Sequence, residues 1–186
     1  MKVTPTSHPD VLLIEPRVFG DARGWFYESW QQVRYAEAGI GPAFIQDNQA
    51  FSRRGALRGL HIQHPFGQGK LVQAIQGEVF DVAVDVRRGS PHFGRWVGAV
   101  LSGENRHQLW VPAGFLHGYL VTSAEALFAY KVTEFYHPET ECSVRWDDPD
   151  IGIDWPVGIT PILSDKDAGA PLLRELPVER LPAFRT

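Results

Sequence analysis

The chain has a single cysteine, Cys142, and a single methionine, Met1, among its 186 residues. One thiol excludes an internal disulfide. No apolar run approaches the ~20 residues that a membrane-spanning helix needs; pieces such as Val11–Ile14 are typical. The start, Met1-Lys2-Val3-Thr4-Pro5-Thr6, lacks the apolar stretch of a secretory signal, so a cytoplasmic protein with no membrane contact is expected. An excess of positive charge is also missing. With 18 Lys and Arg against 22 Asp and Glu the net charge is −4, which argues against a nucleic-acid partner. It leaves room for an anionic small ligand, because a local cluster of Arg and Lys can outweigh the global sign inside a cleft.

Helical text is scarce as well. The spacing predicts one short helix, Trp30 to Ala38, with Ser29 and Gln32 as a capping box and Gly39 as the stop. The rest reads as short strands: Val11 to Glu15, Trp25 to Glu28, Phe44 to Phe51, Leu57 to Gln63, Lys70 to Gln76, Glu78 to Val86, Phe93 to Leu101, Gln108 to Val111, Phe115 to Val121 and Leu127 to Thr133. Phe19 to Gly24 reads as a turn-rich loop, and the turns Arg88-Gly89-Ser90-Pro91 and Ser102-Gly103-Glu104-Asn105 separate later strands. In Glu78 to Val86, Phe80, Val82, Val84 and Val86 alternate with Val79, Asp81, Ala83 and Asp85, the pattern of a half-buried antiparallel strand. With 44% hydrophobic and 22% charged residues, this describes one all-β domain over residues 1–186, most simply a double-sheet jelly roll. After Glu134 prolines make the chain irregular, but Trp146, Ile151, Ile153 and Trp155 predict that it packs down; Leu181 to Thr186 is expected to hang free.

The chemistry concentrates in Leu57-Arg58-Gly59-Leu60-His61-Ile62-Gln63-His64. As a strand it puts Gly59, His61 and Gln63 on one face and Leu60 and Ile62 on the other. Arg58 falls on the wrong face unless Gly59 marks a bulge. Further on, Pro112-Ala113-Gly114-Phe115-Leu116-His117 resembles the second motif of the cupin superfamily. That superfamily's first motif supplies a His-x-His pair and a glutamate for one metal ion. Here His61 survives, Gln63 stands in the second histidine position, and Lys70 stands where the glutamate would be, ahead of Gly77. An ammonium there repels a divalent cation, so a cupin-like pocket without metal is expected. The alternative is a shifted metal site completed by His64 or Glu78.

Each residue also has an ordinary structural explanation: core histidines for His61 and His117, a solvated edge charge for Lys70, a satisfied core phenol for Tyr130, surface arginines for Arg23 and Arg58. Glu28 could simply pair with a nearby arginine, Gln46-Asp47-Asn48 could be edge amides, and Ser164 to Asp167 a solvated loop. Together, however, the text resembles the dTDP-4-dehydrorhamnose 3,5-epimerase family from about Pro5 to Pro171. The matching stretches are Phe19-x-Asp21-x-Arg23-Gly24-x-Phe26-x-Glu28, Gln46-Asp47-Asn48, Leu57 to His61 with Gln63, Lys70 with Gly77-x-Val79-x-Asp81-Val82, Gly89-Ser90-Pro91-x-Phe93-Gly94, Pro112 to Gly118, Tyr130-Lys131 with Tyr136, and Asp165-Lys166-Asp167. Ile62 departs from an aromatic often found after this histidine, and alternation points it away from the polar face.

The resemblance implies an epimerase that uses no metal or cofactor and acts on a dTDP-4-keto-6-deoxyhexose. It implies His61 as general base, Asp167 as its orienting partner, Tyr130 as general acid, and Lys70 and His117 at the sugar. Phe19, Arg23, Glu28, Gln46, Asp47, Asn48, Arg58, Glu141 and Lys166 are implied around the nucleotide diphosphate or the sugar ring. It also implies a homodimer in which neighbouring subunits complete each other's sites. The chemistry is consistent with those residue types: a C–H beside a ketone yields its proton only if a base meets the carbon and a cation or donor meets the forming enolate oxygen. Rival readings are a single-position epimerase or a 3,4-ketoisomerase, then a metal-dependent cupin oxygenase or a non-catalytic sugar-binding cupin.

Overall fold

The computed structural model describes residues 1–184. Its elements, in order, are β1 (Lys2–Pro5), β2 (Leu12–Glu15), β3 (Val18–Asp21), β4 (Gly24–Tyr27), α1 (Gln32–Glu37), β5 (Gln46–Arg53), β6 (Leu57–Gln63), β7 (Lys70–Gln76), β8 (Glu78–Asp85), β9 (Trp96–Ser102), β10 (Gln108–Val111), β11 (Phe115–Val121), β12 (Glu125–Val132), β13 (Glu141–Ser143) and α2 (Asp165–Ala168). One sheet runs β1-β2-β10-β7-β12-β5, a second runs β13-β6-β11-β8-β9, and β3 and β4 pair alone as a hairpin. All of these pairings are antiparallel. No helix among the described residues is long and apolar enough to cross a membrane.

Alternation along the strands builds the core between the two sheets. Val72, Ala74, Leu109 and Phe128 of the first sheet meet Val79, Ala83, Leu101 and Val121 of the second, all buried. The opposite face of the second sheet is not solvated. Leu60, Ile62, Val82, Val84 and Leu116 pack there against Ile151, Leu173 and Leu181 from the irregular C-terminal section. β8 is therefore buried on both faces, not half-buried as its alternation suggests, because the chain after Glu134 forms a third layer over it.

Several boundaries differ from the sequence reading. The segment 18–27 is a hairpin rather than a loop entering a strand, with Phe19 opposite Phe26. α1 is shorter than predicted, and its first turn is capped by Gln31, whose Oε1 accepts from Arg34 N at 2.7 Å, not by Ser29. α2 was not predicted. Leu181 is buried, Arg88 N donates to Pro182 O at 2.8 Å, and Phe184 N donates to Arg88 O at 2.9 Å, so residues 181–184 are pinned rather than free. The remainder of that expectation, Arg185 and Thr186, lies outside the described residues.

One buried polar knot ties the N-terminal segment to the end of β8. Asp85 accepts from Ser90 Oγ at 2.6 Å, from Arg87 Nε at 2.9 Å and Nη2 at 2.7 Å, and meets His8 Nε2 at 3.2 Å. Burial alone would raise its pKa, but the hydrogen bonds from Arg87 and Ser90 outweigh it and hold it down to about 2.

Candidate active site

The site is a cavity of about 440 Å³ between the two sheets. Its floor comes from β6 and β11. His61 lies directly opposite His117 in the register, and a shift between His117 and Tyr119 sets Tyr119 opposite Arg58. β6 thus spends one extra residue at Gly59, which has a φ of +125°. That bulge turns both Arg58 and His61 into the cavity, as the strand glycine suggested. The two strands approach very closely here: a Cβ on Gly59 would lie 2.6 Å from Gly118 Cα and 2.8 Å from His117 O. The roof is Lys70 of β7 with Phe128 and Tyr130 of β12.

The third wall is the segment 162–167. Ile162 N donates to Gly55 O at 2.7 Å and Leu57 N donates to Ile162 O at 3.0 Å, which fastens the segment along the start of β6. It delivers Asp167 to His61, with Oδ1 2.6 Å from Nε2. The carboxylate holds Nε2 as the protonated nitrogen, so Nδ1 carries the lone pair. Burial pushes the Asp167 pKa up, but the His61 and Ser164 hydrogen bonds and the nearby Gly59 amide prevail and lower it. Glu141 Oε1 stands 3.9 Å from His61 Nδ1, while its Oε2 accepts from Tyr136 at 2.9 Å and from Lys166 Nζ.

The Lys70 side chain hydrogen-bonds to nothing among the described residues. It lines the cavity, and burial lowers its pKa against the pull of Glu141 and Asp81. Tyr130 is raised by burial, with Arg58 opposing, and so stays protonated and able to donate. His117 Nε2 lies 2.9 Å from both oxygens of Asp81, a fully buried carboxylate whose pKa burial raises. Arg58 Nε donates to Ser52 Oγ at 3.1 Å. A free cation, a protonated phenol and a carboxylate-oriented imidazole therefore open on one enclosed space.

The donor set does not suit a metal. The Gln63 amide, in the place of a cupin ligand, is consumed by the loops: it donates to Phe135 O at 2.9 Å and to Phe66 O, and accepts from His137 N at 2.8 Å. Among the described residues no three His, Cys, Asp or Glu side chains converge to hold an ion. His64 and Glu78, the proposed substitutes, do not line the cavity, and Glu78 bonds Thr122 Oγ1 at 2.7 Å.

The structure gathers His61, Lys70, Arg58, His117, Tyr130, Lys166 and Asp167 on the cavity wall, with Glu141 touching His61. Gln46 and Asn48 face inward on β5, bonded to each other at 2.8 Å. Asp47 does not join them: strand alternation sends it to the outer face, where it pairs with Lys131 at 2.8 Å. Phe19, Arg23 and Glu28 also stand apart from the cavity. Arg23 pairs with Asp21 at the tip of the hairpin, and Glu28 pairs with Arg34. Two further residues hold the site's side chains: Asp81, readable as an acid amid an apolar strand, bonds His117, and Ser164, whose Ser-x-x-Asp spacing is that of a helix N-cap, bonds Asp167.

A jelly roll whose inter-sheet cavity gathers an imidazole, a phenol and an ammonium defines a cupin-like protein with an enclosed polar site. The sequence profile described as dTDP-4-dehydrorhamnose 3,5-epimerase matches residues 5–175. The dTDP-4-dehydrorhamnose 3,5-epimerase of Pseudomonas aeruginosa is 57% identical over 168 residues, 90% of this chain and 93% of that protein. The crystal structure of dTDP-6-deoxy-D-glucose-3,5-epimerase from Legionella pneumophila, in complex with dTDP-4-keto-L-rhamnose, superposes with a TM-score of 0.97 at 53% identity, covering 100% of this chain and 99% of that one. A 3'-monoepimerase from Streptomyces bikiniensis in complex with dTDP-quinovose is similar at 38% identity and a TM-score of 0.89, covering 96% and 92%. The chain belongs to the dTDP-4-dehydrorhamnose 3,5-epimerase family.

Proposed function

We propose that this chain, as one domain, converts dTDP-4-dehydro-6-deoxy-D-glucose to dTDP-4-dehydro-L-rhamnose by successive inversions at C3 and C5, without metal or cofactor. The observation that carries the proposal is the His61–Asp167 pair, 2.6 Å apart, opening on the same cavity as the free Lys70 ammonium and the Tyr130 phenol. His61 Nδ1 takes the proton from the carbon beside the ketone, and the C–H electron pair becomes the enolate. Lys70 meets the negative charge that forms on the C4 oxygen. Asp167 stabilises the imidazolium as it appears. Tyr130 then gives its proton to the opposite face of the same carbon, and the carbonyl re-forms. C3 and C5 both flank C4, so one oxyanion site serves both inversions once His61 has given its proton to water and Tyr130 has taken one back.

Arg58 and Lys166 are the cations we assign to the diphosphate, while His117, fixed by Asp81, and Glu141 contact the sugar. Phe19, Arg23 and Glu28 enter the site of a second copy in a homodimer, with Gln46 and Asn48 at its mouth. Support comes from the hairpin, which projects away from its own chain's cavity with Trp25 57% and Phe26 68% exposed. A cytoplasmic setting accords with the unpaired thiol of Cys142.

A second reading, inversion at one carbon alone, is favoured by the likeness to the Streptomyces 3'-monoepimerase. Deuterium uptake from D₂O into dTDP-4-keto-6-deoxyglucose, read by NMR, separates the two. Label at C3 and C5, abolished in His61→Ala, is expected; label at one carbon supports the second reading, and no label at either defeats both.

A further inference from the structure

Ser164 caps α2, three residues before Asp167. Its hydroxyl faces that aspartate twice: Oγ accepts from Asp167 N at 3.2 Å and donates to Asp167 Oδ2 at 2.9 Å. The other carboxylate oxygen, Oδ1, is the one that meets His61. Each oxygen is therefore held by a different partner, and the carboxylate cannot rotate without breaking one of the two contacts. A single-turn helix has little rigidity of its own. The backbone is fastened at Ile162, which leaves the orientation of the carboxylate to the Ser164 hydroxyl together with the Gly59 amide.

We infer that Ser164 is a positioning residue for the epimerase reaction, acting through Asp167 by keeping Oδ1 turned toward His61. The inference rests on the epimerase reading above. Ser164 lines the cavity beside Lys166 but acts on the carboxylate, not on the substrate. The hydroxyl also belongs to the forces that lower the Asp167 pKa, so its removal leaves the carboxylate a less secure partner for an imidazolium.

Capping and orientation are separable by substitution. Glycine is nearly as good an N-cap as serine, costing only a few tenths of a kcal/mol, whereas alanine is poor. Neither can donate to Oδ2. Ser164→Gly and Ser164→Ala are both expected to lower kcat about tenfold, the scale of one hydrogen bond to a charged group, with KM and the affinity for TDP unchanged. Ser164→Thr restores the hydroxyl and is expected to return kcat to within about twofold of wild type. The rate is deuterium uptake at C3 and C5; TDP affinity comes from calorimetry and folding from thermal melting.

A glycine variant with wild-type kcat would show that only the cap matters and would overturn the inference, as would a threonine variant as slow as alanine. A rise in KM matched by lost TDP affinity would make Ser164 a substrate contact, which also overturns it. Failure of the wild-type chain to exchange deuterium would instead defeat the epimerase reading, and this inference with it.

Discussion

Replacing Asp167 with asparagine keeps the side chain's size and removes its charge. The carboxylate is 4% exposed and touches His61 Nε2 at 2.6 Å, so its partner's new charge is felt with little solvent screening. When Nδ1 takes a proton, a positive charge forms on a ring centred about 4 Å away, and at an effective dielectric constant of about 20 the attraction is about 4 kcal/mol. Part of that is already present as a hydrogen bond to the neutral ring. The share specific to the transition state is about 3 kcal/mol, near the top of the range for a charged hydrogen bond. At about 1.4 kcal/mol per decade, Asp167→Asn should lower kcat by about 10²-fold. KM and TDP affinity should hold, because the residue contacts the base rather than the substrate. The assay is deuterium uptake at C3 and C5 with TDP titration beside it. A variant within about threefold of the wild-type rate would refute the assignment of His61 and Asp167 as a working pair.

Lys70→Met should slow both exchanges by about 10²-fold, the usual cost of losing one oxyanion donor, and yet raise the melting temperature at pH 7. Burial lowers its folded pKa, so holding the ammonium costs the folded protein stability that a methionine does not; a variant that is fast and less stable would contradict this. Asp85, held at about 2 against 3.8, contributes about 2 kcal/mol of stability that is fully present above its unfolded pKa and lost as pH falls through the folded one. Urea unfolding should therefore show Asp85→Asn less stable at pH 7, with the gap to wild type closing toward pH ~2; a gap independent of pH would reject the ionic account. Dialysis against EDTA should leave turnover unchanged, and a loss restored by a divalent cation would reverse the reading of Gln63 and Lys70.

Local pattern carried much of this fold. Period-two alternation located β6, β7, β8, β10, β11 and β12 almost to the residue, because those strands are long or flanked by glycine and proline. It failed at β1, β3 and β13, which are only three or four residues long, and of these β13 pairs with a strand far away in the chain, β6. It also misjudged exposure at β8, since nothing in an alternating strand announces that a proline-rich tail will cover its second face. Within the site, the text of β6 marked His61 and Arg58 and even the bulge that reconciles them. Asp47 shows the converse: motif resemblance placed it among its neighbours, whereas alternation alone already assigned it to the outer face. Arg23 and Phe19 mark another boundary: resemblance placed them around the nucleotide or the sugar, whereas the fold sets their hairpin apart from the cavity.

The seam between β6 and β11 is held by side chains that do not exist. Gly59 and Gly118 face each other so closely that a methyl on the latter would lie 2.7 Å from Arg58 O, and the strands bearing His61 and His117 are drawn together over that gap. The spacing of the two histidines is thus set by an absence, which no substitution can refine and any enlargement spoils. Drift and engineering alike are left with the far walls. Ala50 of β5, Phe128 of β12 and Ile162 can change and so reshape the cavity, while the histidine frame beneath them stays the same.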